Sequence, residues 1–191
     1  GAVQPGDEDD YFQSSLFTIA RRRILWLLIL VLANGLTTKV IAMNDQILKE
    51  IVLLAAFIPL LIGTGGNVGA QSSTVVIRGL STQKLKSLGA IKAVFKEAIT
   101  GALLGVLMML VVFPFAWWQG EGPLIASAVG ISLISITTLA ATTGAILPLL
   151  FDRMRLDPAL MSSPFITTVT DIAGVFIYLS TAKWLLSSSF T

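Results

Sequence analysis

An acidic side chain stands in the middle of a long apolar stretch of this sequence. Asp171 lies within PFITTVTDIAGVFIYL, and it is the one charged residue between Ala159 and Ala182. Holding a carboxylate at the centre of a bilayer costs at least ~2.5 kcal/mol, so such residues face a bundle interior or water and mark pathways. We therefore interpret Asp171 as a metal ligand. The alternative is a protonated or hydrogen-bonded Asp that packs two helices together.

The neighbours of this carboxylate favour the first interpretation. At helical spacing, small and polar residues share its face: Pro164, Thr167, Thr168, Gly174 and Tyr178. Gly and Thr alone are typical of close packing between membrane helices. Together with Asp171 they predict the wall of a pore.

A second candidate is the glycine-rich run from Gly63 to Gln71, inside another apolar stretch. Two interpretations stay open. Gly and Pro interruptions of a membrane helix point to a substrate site, where a break would free backbone carbonyls beside Asn67 and Gln71 as hard ligands for hard cations. Alternatively, Gly65 and Gly69 form a G-x-x-x-G packing motif, as Gly101 and Gly105 do further along. The run is not a phosphate loop, because Ala70 and Gln71 follow its last Gly.

Composition limits the chemistry further. The chain has no Cys and no His, which excludes thiol and imidazole catalysis, haem and the usual zinc sites. Membrane aspartyl proteases need two opposed acids, and serine types need a base that is missing at mid-depth. We therefore expect no enzyme. A structural bundle without transport is the remaining non-enzymatic alternative.

The elements that position these residues are membrane helices. The 191 residues carry 13 Lys and Arg and 11 Asp and Glu, and 54% are hydrophobic, whereas about a quarter of a soluble domain is charged. Long apolar runs predict an all-α membrane protein with five transmembrane helices per chain, at residues 24–43, 47–77, 93–118, 124–151 and 159–186. The second run is too long for one straight span, so it must tilt, bend or break.

The basic residues predict the orientation. Ten of the 13 lie on one side of the five predicted spans: Arg21, Arg22, Arg23, Arg78, Lys84, Lys86, Lys92, Lys96, Arg153 and Arg155. Because cytoplasmic loops are enriched in Lys and Arg, the N-terminus is expected inside and the C-terminus outside. The net charge of +2 is explained by these loops and not by a nucleic-acid partner. Residues 1–20 are expected to form a cytoplasmic lead-in, either an amphipathic helix or an extension of the first span.

One carboxylate per chain is a weak cation site, but a C2 dimer would bring two copies of Asp171 towards a shared axis. Their repulsion favours protonation or a divalent cation between them, hence Mg²⁺ or Ca²⁺ more than Na⁺ or K⁺. Mg²⁺ keeps most of its waters, so carbonyl, hydroxyl and carboxylate groups could line its path. The pore is therefore expected at the homodimer interface.

The chain resembles the membrane part of the MgtE magnesium channels and transporters. The resemblance rests on PLLIGTGGNVGAQSSTVVIRGLST from Pro59 to Thr82, on DPALMSSPFITTVTDIAGVFIYLS from Asp157 to Ser180, and on RRRILWLL from Arg21 to Leu28. It implies a homodimer whose pore, built from the second and fifth spans, conducts hydrated Mg²⁺ into the cytoplasm. An ion-coupled carrier, exchanging a divalent cation for H⁺ or Na⁺, is the alternative.

The resemblance also implies roles for individual residues. Asp171 corresponds to the family's pore acid, Asn67, Thr167 and Gly174 to its pore lining, and Asp157 to an acid at the cytoplasmic pore mouth. All pore-lining candidates taken together are Gly65, Gly66, Asn67, Gly69, Ala70, Gln71, Ser163, Pro164, Thr167, Thr168 and Gly174.

The chain departs from the family pattern at Ala70 and Ser163, where the family has Asn, so two amide groups are missing from the expected lining. Many family members also carry cytoplasmic N and CBS regulatory domains ahead of a connecting plug helix. Those domains are expected to be absent here, and residues 1–20 resemble the end of the plug ahead of a transmembrane domain at 21–191.

Overall fold

The computed structural model describes residues 15–83 and 89–187, and both ranges are helical. No strand occurs in either range. The helices are α1 Leu16–Ala42, α2 Asp45–Glu50, α3 Val52–Ser81, α4 Ala90–Ala116, α5 Pro123–Arg153 and α6 Pro158–Ser187, and a π-helical turn, Trp117–Glu121, follows α4.

Four segments are long and apolar enough to cross a bilayer: Val52–Ser81, Ala90–Gln119, Pro123–Arg153 and Ser162–Leu186. A shorter apolar segment, Leu27–Ala42, corresponds to the first predicted span. The prediction of an all-helical protein with several membrane-spanning helices is therefore confirmed for these four, and the first predicted span, residues 24–43, stays a prediction.

The helix ends follow from local sequence. Pro158 occupies the first position of α6, where a missing N–H is harmless, and the Asp157 carboxylate accepts the N–H of Ala159 at 2.9 Å. At the other end of the molecule Pro123 opens α5 directly after Gly122, whose φ of 85° suits glycine. At the end of α3, the carbonyl of Arg78 accepts the backbone N–H of Thr82 at 3.1 Å and also the Thr82 hydroxyl, Oγ1, at 2.8 Å.

Helix α5 is the centre of the bundle and packs against α3, α4 and α6. Close contacts give the directions of the helices. Gly65 of α3 lies against Ile136 of α5, and Gly69, one turn later, lies against Ala140, so these two helices are parallel. The same reasoning makes α4 and α6 antiparallel to α5. Large fully buried side chains of three helices fill the core between them: Leu54 and Leu61 of α3, Ile125, Leu133 and Ile136 of α5, and Tyr178 and Leu179 of α6.

Helix α1 lies at the periphery, and its main packing partner is α6. It leaves large apolar side chains exposed, among them Leu28, Ile29, Leu32 and Leu36. Residues 1–14 of the predicted lead-in lie outside the described residues. Within the described part, the helix that begins at Leu16 continues into the apolar segment without interruption.

Candidate functional site

Three predicted site residues lie at or near the surface of the two neighbouring helices α3 and α6. Asn67 of α3 and Thr167 of α6 are exposed, and Asp171 is half-buried one turn further along α6. A Cβ placed on Gly66 would lie 3.9 Å from Thr167 Cγ2, which brings the two helices into contact at this level. We call Asn67, Thr167 and Asp171 the polar strip.

Asp171 lies near the middle of α6. It follows Pro158 by thirteen positions, which is about 20 Å at 1.5 Å per residue. Among the described residues, its carboxylate has no hydrogen-bond or ion-pair partner. The alternative of an Asp hydrogen-bonded between two helices therefore has no support within this chain. The carboxylate is available to a ligand or a second chain.

The hydroxyl of Thr167 is partly engaged by its own helix. Its Oγ1 donates to the carbonyls of Pro164 at 3.0 Å and Ser163 at 3.3 Å. The lone pairs of the oxygen stay free to accept from a water molecule. Together, the polar strip offers an amide, a hydroxyl and a carboxylate, which are oxygen ligands suited to Mg²⁺ or to its bound waters.

The glycine-rich run does not break its helix. Gly63 to Gln71 lies inside α3, which is continuous from Val52 to Ser81. The hypothesis that a break here frees backbone carbonyls is wrong, because those carbonyls accept the ordinary hydrogen bonds of the helix. The interruption of the long second apolar run comes earlier, at Ile51, between α2 and α3.

The glycines instead allow close packing. A Cβ on Gly65 would lie 2.5 Å from Thr170 Cγ2, and one on Gly69 would lie 2.5 Å from Ile166 Cγ2. Gly144 of α5 packs against the backbone of Gly69 from the other side. Of the two interpretations of this run, helix packing is the one confirmed.

The other predicted lining residues fall into three groups by burial. The exposed ones can face a partner or a pore, whereas the buried ones pack against neighbouring helices. The exposed group is Ala70, Gln71 and Ser163, the half-buried group is Gly66, Pro164 and Thr168, and the buried group is Gly65, Gly69 and Gly174. A lining role for the buried glycines stays a prediction without support from the packing of one chain.

Asp157 lies at the exposed start of α6, where it caps the helix. The capping hydrogen bond uses Oδ1, so the second carboxylate oxygen is still available for a cation. The structure thus gives this residue a structural role that its predicted position at a pore mouth did not include.

One polar contact inside the bundle was missed by the sequence reasoning. Ser72 Oγ of α3 donates to Glu97 Oε2 of α4 at 2.7 Å, and both residues are at least half-buried. The sequence does contain a signal for this contact, because Glu97 lies four residues inside the predicted third span. An acid so close to the end of a span is easily interpreted as one that reaches water. Glu97 is thus a second carboxylate within the bundle, and its hydrogen bond joins α4 to α3.

The described residues contain no cluster of three or more His, Cys, Asp or Glu side chains that could hold a metal ion. Asp171 is the acid of the polar strip, and Glu97 already accepts a hydrogen bond. The acidic side chains of the described residues therefore do not form a closed cation site within one chain.

Comparisons with known proteins agree with this geometry. A family model described as a divalent cation transporter, MgtE, matches residues 58–181. The chain is 39% identical over 166 residues to the magnesium transporter MgtE of Thermus thermophilus, with 87% of this chain and 37% of that protein covered. It is 32% identical over 182 residues to the magnesium transporter MgtE of Bacillus subtilis, with 95% and 40% covered.

A third relative, the magnesium transporter MgtE of Enterococcus faecalis, is 33% identical over 171 residues, with 87% of this chain and 37% of that protein covered. The chain thus spans well under half the length of these curated relatives. Their names describe transport and not catalysis. The family match covers more than half of the chain, including most of α3 and α6, and the chain belongs to the MgtE family of divalent cation transporters.

Proposed function

We propose that two copies of this chain form a pore that conducts hydrated Mg²⁺ across the membrane, with Asp171 at its centre. The observation that carries the proposal is the polar strip. Its amide and hydroxyl are exposed and its carboxylate is half-buried without a partner among the described residues, in a chain with four helices long and apolar enough to cross a bilayer.

The first step concerns the need for a second chain. In hydrocarbon an exposed polar group has no water to bond, and an unpaired carboxylate is especially costly. A second copy related by a two-fold axis removes the polar strip from lipid, because a C2 interface joins the same patch on both chains. Two copies of Asp171 then face one water-filled path.

The second step concerns the ion. Two carboxylates on one axis repel each other unless a divalent cation neutralises them. Mg²⁺ dehydrates reluctantly, so its waters can donate to Asp171, to the carbonyl oxygen of Asn67 and to Thr167 Oγ1. The relatives are named as magnesium transporters, and this chemistry supports the same cargo here.

The third step concerns direction. The described basic residues divide by helix end: Arg21, Arg78, Lys92, Lys96, Arg153 and Arg155 lie towards one end of the bundle, and Lys39, Lys49 and Lys183 towards the other. The first end is the cytoplasmic one by the excess of positive charge. The N-terminus is then inside, the C-terminus outside, and Asp157 lies at the inner mouth of the pore.

The test is Mg²⁺ uptake into proteoliposomes that carry a fluorescent Mg²⁺ indicator. Asp171→Asn keeps the shape of the side chain and removes its charge. We expect initial uptake to fall about ten- to a hundredfold, because a hydrogen bond to a charged group contributes about 1.5–3 kcal/mol. Asp152→Asn makes the same chemical change at an exposed helix end and should leave uptake unchanged. Equal uptake by Asp171→Asn and the original chain would refute the role of Asp171.

The same preparation separates a channel from a coupled carrier. A channel carries current in a planar bilayer with Mg²⁺ as the sole gradient. A carrier takes up Mg²⁺ in proportion to an imposed H⁺ or Na⁺ gradient and carries no current without it. We expect current without a second gradient, because two acids with water-bridged Mg²⁺ need no exchange partner.

A further inference from the structure

A groove separate from the polar strip lies between the first turns of α4 and the last turns of α5. Its volume is about 240 Å³, and its lining includes Val94, Phe95, Ile146, Leu150 and Arg153. The side chains of Phe95, Ile146 and Leu150 are exposed. The groove therefore opens on the outer surface of two membrane-spanning helices, where an acyl chain would lie.

The charge at this groove has one sign. Arg153 lines it at the end of α5, and exposed Lys92 follows the lining residue Ile91 on α4. Among the described side chains, neither cation forms an ion pair. Asp152 is exposed beside Arg153 in the chain, but it does not line the groove.

A cavity at the opposite end of the bundle shows the contrast. It has a volume of about 340 Å³ and is lined by both Glu50 and Lys183. Opposite charges in one cavity select no sign of ligand. The groove at Arg153 combines an apolar wall with positive charge alone, which is the pattern that attracts anionic lipids to membrane proteins.

We propose that this groove is a binding site for an anionic phospholipid. One acyl chain lies against Val94, Phe95 and Ile146, and the phosphate oxygens accept hydrogen bonds from the guanidinium of Arg153. The groove is smaller than the 300–1,000 Å³ typical of sites for drug-sized ligands, so it has room for part of one lipid molecule. The site is independent of the proposed pore and is defined by α4 and α5 alone.

The experiment is native mass spectrometry of the purified chain in detergent, titrated with dioleoyl phosphatidylglycerol and, separately, dioleoyl phosphatidylcholine. The original chain should retain the anionic lipid more strongly. Arg153→Gln should weaken phosphatidylglycerol binding about fivefold, as expected for the loss of one cation near a lipid headgroup. Arg155→Gln is the matched control, because it removes the same charge at the same end from an exposed residue that does not line the groove.

Val94→Trp fills the apolar part and leaves the charge in place. It should weaken binding as well, and circular dichroism checks that the variant keeps its helix content. If Val94→Trp loses helix content, Val94→Phe takes its place. Equal binding of the two lipids, an equal loss in Arg155→Gln, or full binding in Arg153→Gln would each overturn the proposal. The proposal would also be overturned if the original chain were a dimer without bound lipid and Val94→Trp separated that dimer, because a second copy would then cover the groove.

Discussion

The glycines of α3 show how neighbouring residues of one type differ in their surroundings. Gly65 and Gly69 lie where α3 meets α5 and α6, and added methyl groups would overlap Thr170 and Ile166. Gly63, two residues earlier than Gly65, has nothing within 4 Å of its added Cβ. The same substitution is therefore expected to have opposite effects at these positions.

Gly69→Ala should destabilise the chain by about 1–3 kcal/mol, because the packed interface must shift to admit the methyl group. Gly63→Ala should be neutral or stabilising by up to ~1 kcal/mol, because Ala is the better helix former and the space is open. The measurement is the midpoint of thermal unfolding in one detergent. A Gly63→Ala midpoint as low as that of Gly69→Ala would contradict this account of the packing.

At the scale of the helices, α5 explains why the fold holds together. It carries buried residues around most of its circumference, including Ala126, Val129, Ile136 and Ala140. Small side chains alternate with large ones, so α3, α4 and α6 can all approach it closely. The sequence could predict this helix from its apolar length, but not its central place, because hydropathy does not distinguish lipid from protein as surroundings.

The long second apolar run shows where sequence reasoning succeeds and fails. Its excess length correctly predicts that it cannot be one straight span across residues 47–77. One interpretation of the sequence places a break at the glycines, yet the break lies at Ile51. Glycine weakens a helix in water by about 1 kcal/mol, but here close contacts with Ile166 and Gly144 make it favourable. Those contacts come from distant segments and are invisible in the local pattern.

The prediction at this scale concerns the Ser72–Glu97 hydrogen bond between α3 and α4. Glu97→Ala should lower stability by about 1–3 kcal/mol, because it leaves the buried Ser72 hydroxyl without a partner. Glu97→Gln keeps an acceptor and should lose less. Thermal unfolding in detergent gives both values.

Thr100→Val is the matched control on the same helix. Thr100 is exposed, and its hydroxyl donates within α4 to the carbonyl of Lys96. It should change the midpoint little. Glu97→Ala unfolding no earlier than Thr100→Val would show that the contact does not hold the two helices together.

At the scale of the whole molecule, the polar strip lies at the surface of one chain, and its proposed role depends on a second. Asp171 could be predicted from sequence, since a lone acid in an apolar run is conspicuous. Its lack of a hydrogen-bond partner among the described residues could not, because that depends on how α3 and α6 pack. The arrangement of two chains is a further step that the polar strip supports through the cost of exposed polar groups in lipid.

That arrangement can be tested by cross-linking, because the chain contains no Cys and each introduced thiol reports one position. Thr167→Cys lies on the polar strip and should link two chains with bis-maleimides of graded length. A direct disulfide should form only if the Cα atoms approach within about 4.4–6.8 Å, and a water-filled path for hydrated Mg²⁺ keeps them further apart.

The lipid-facing control is Ile99→Cys on α4, because the side chain of Ile99 is 68% exposed. This variant should stay monomeric on denaturing gels. Added Mg²⁺ should slow the reaction at Thr167→Cys and not at Ile99→Cys, because the ion occupies the path one turn away at Asp171. Equal linking at both positions would place the contact between chains somewhere other than the polar strip.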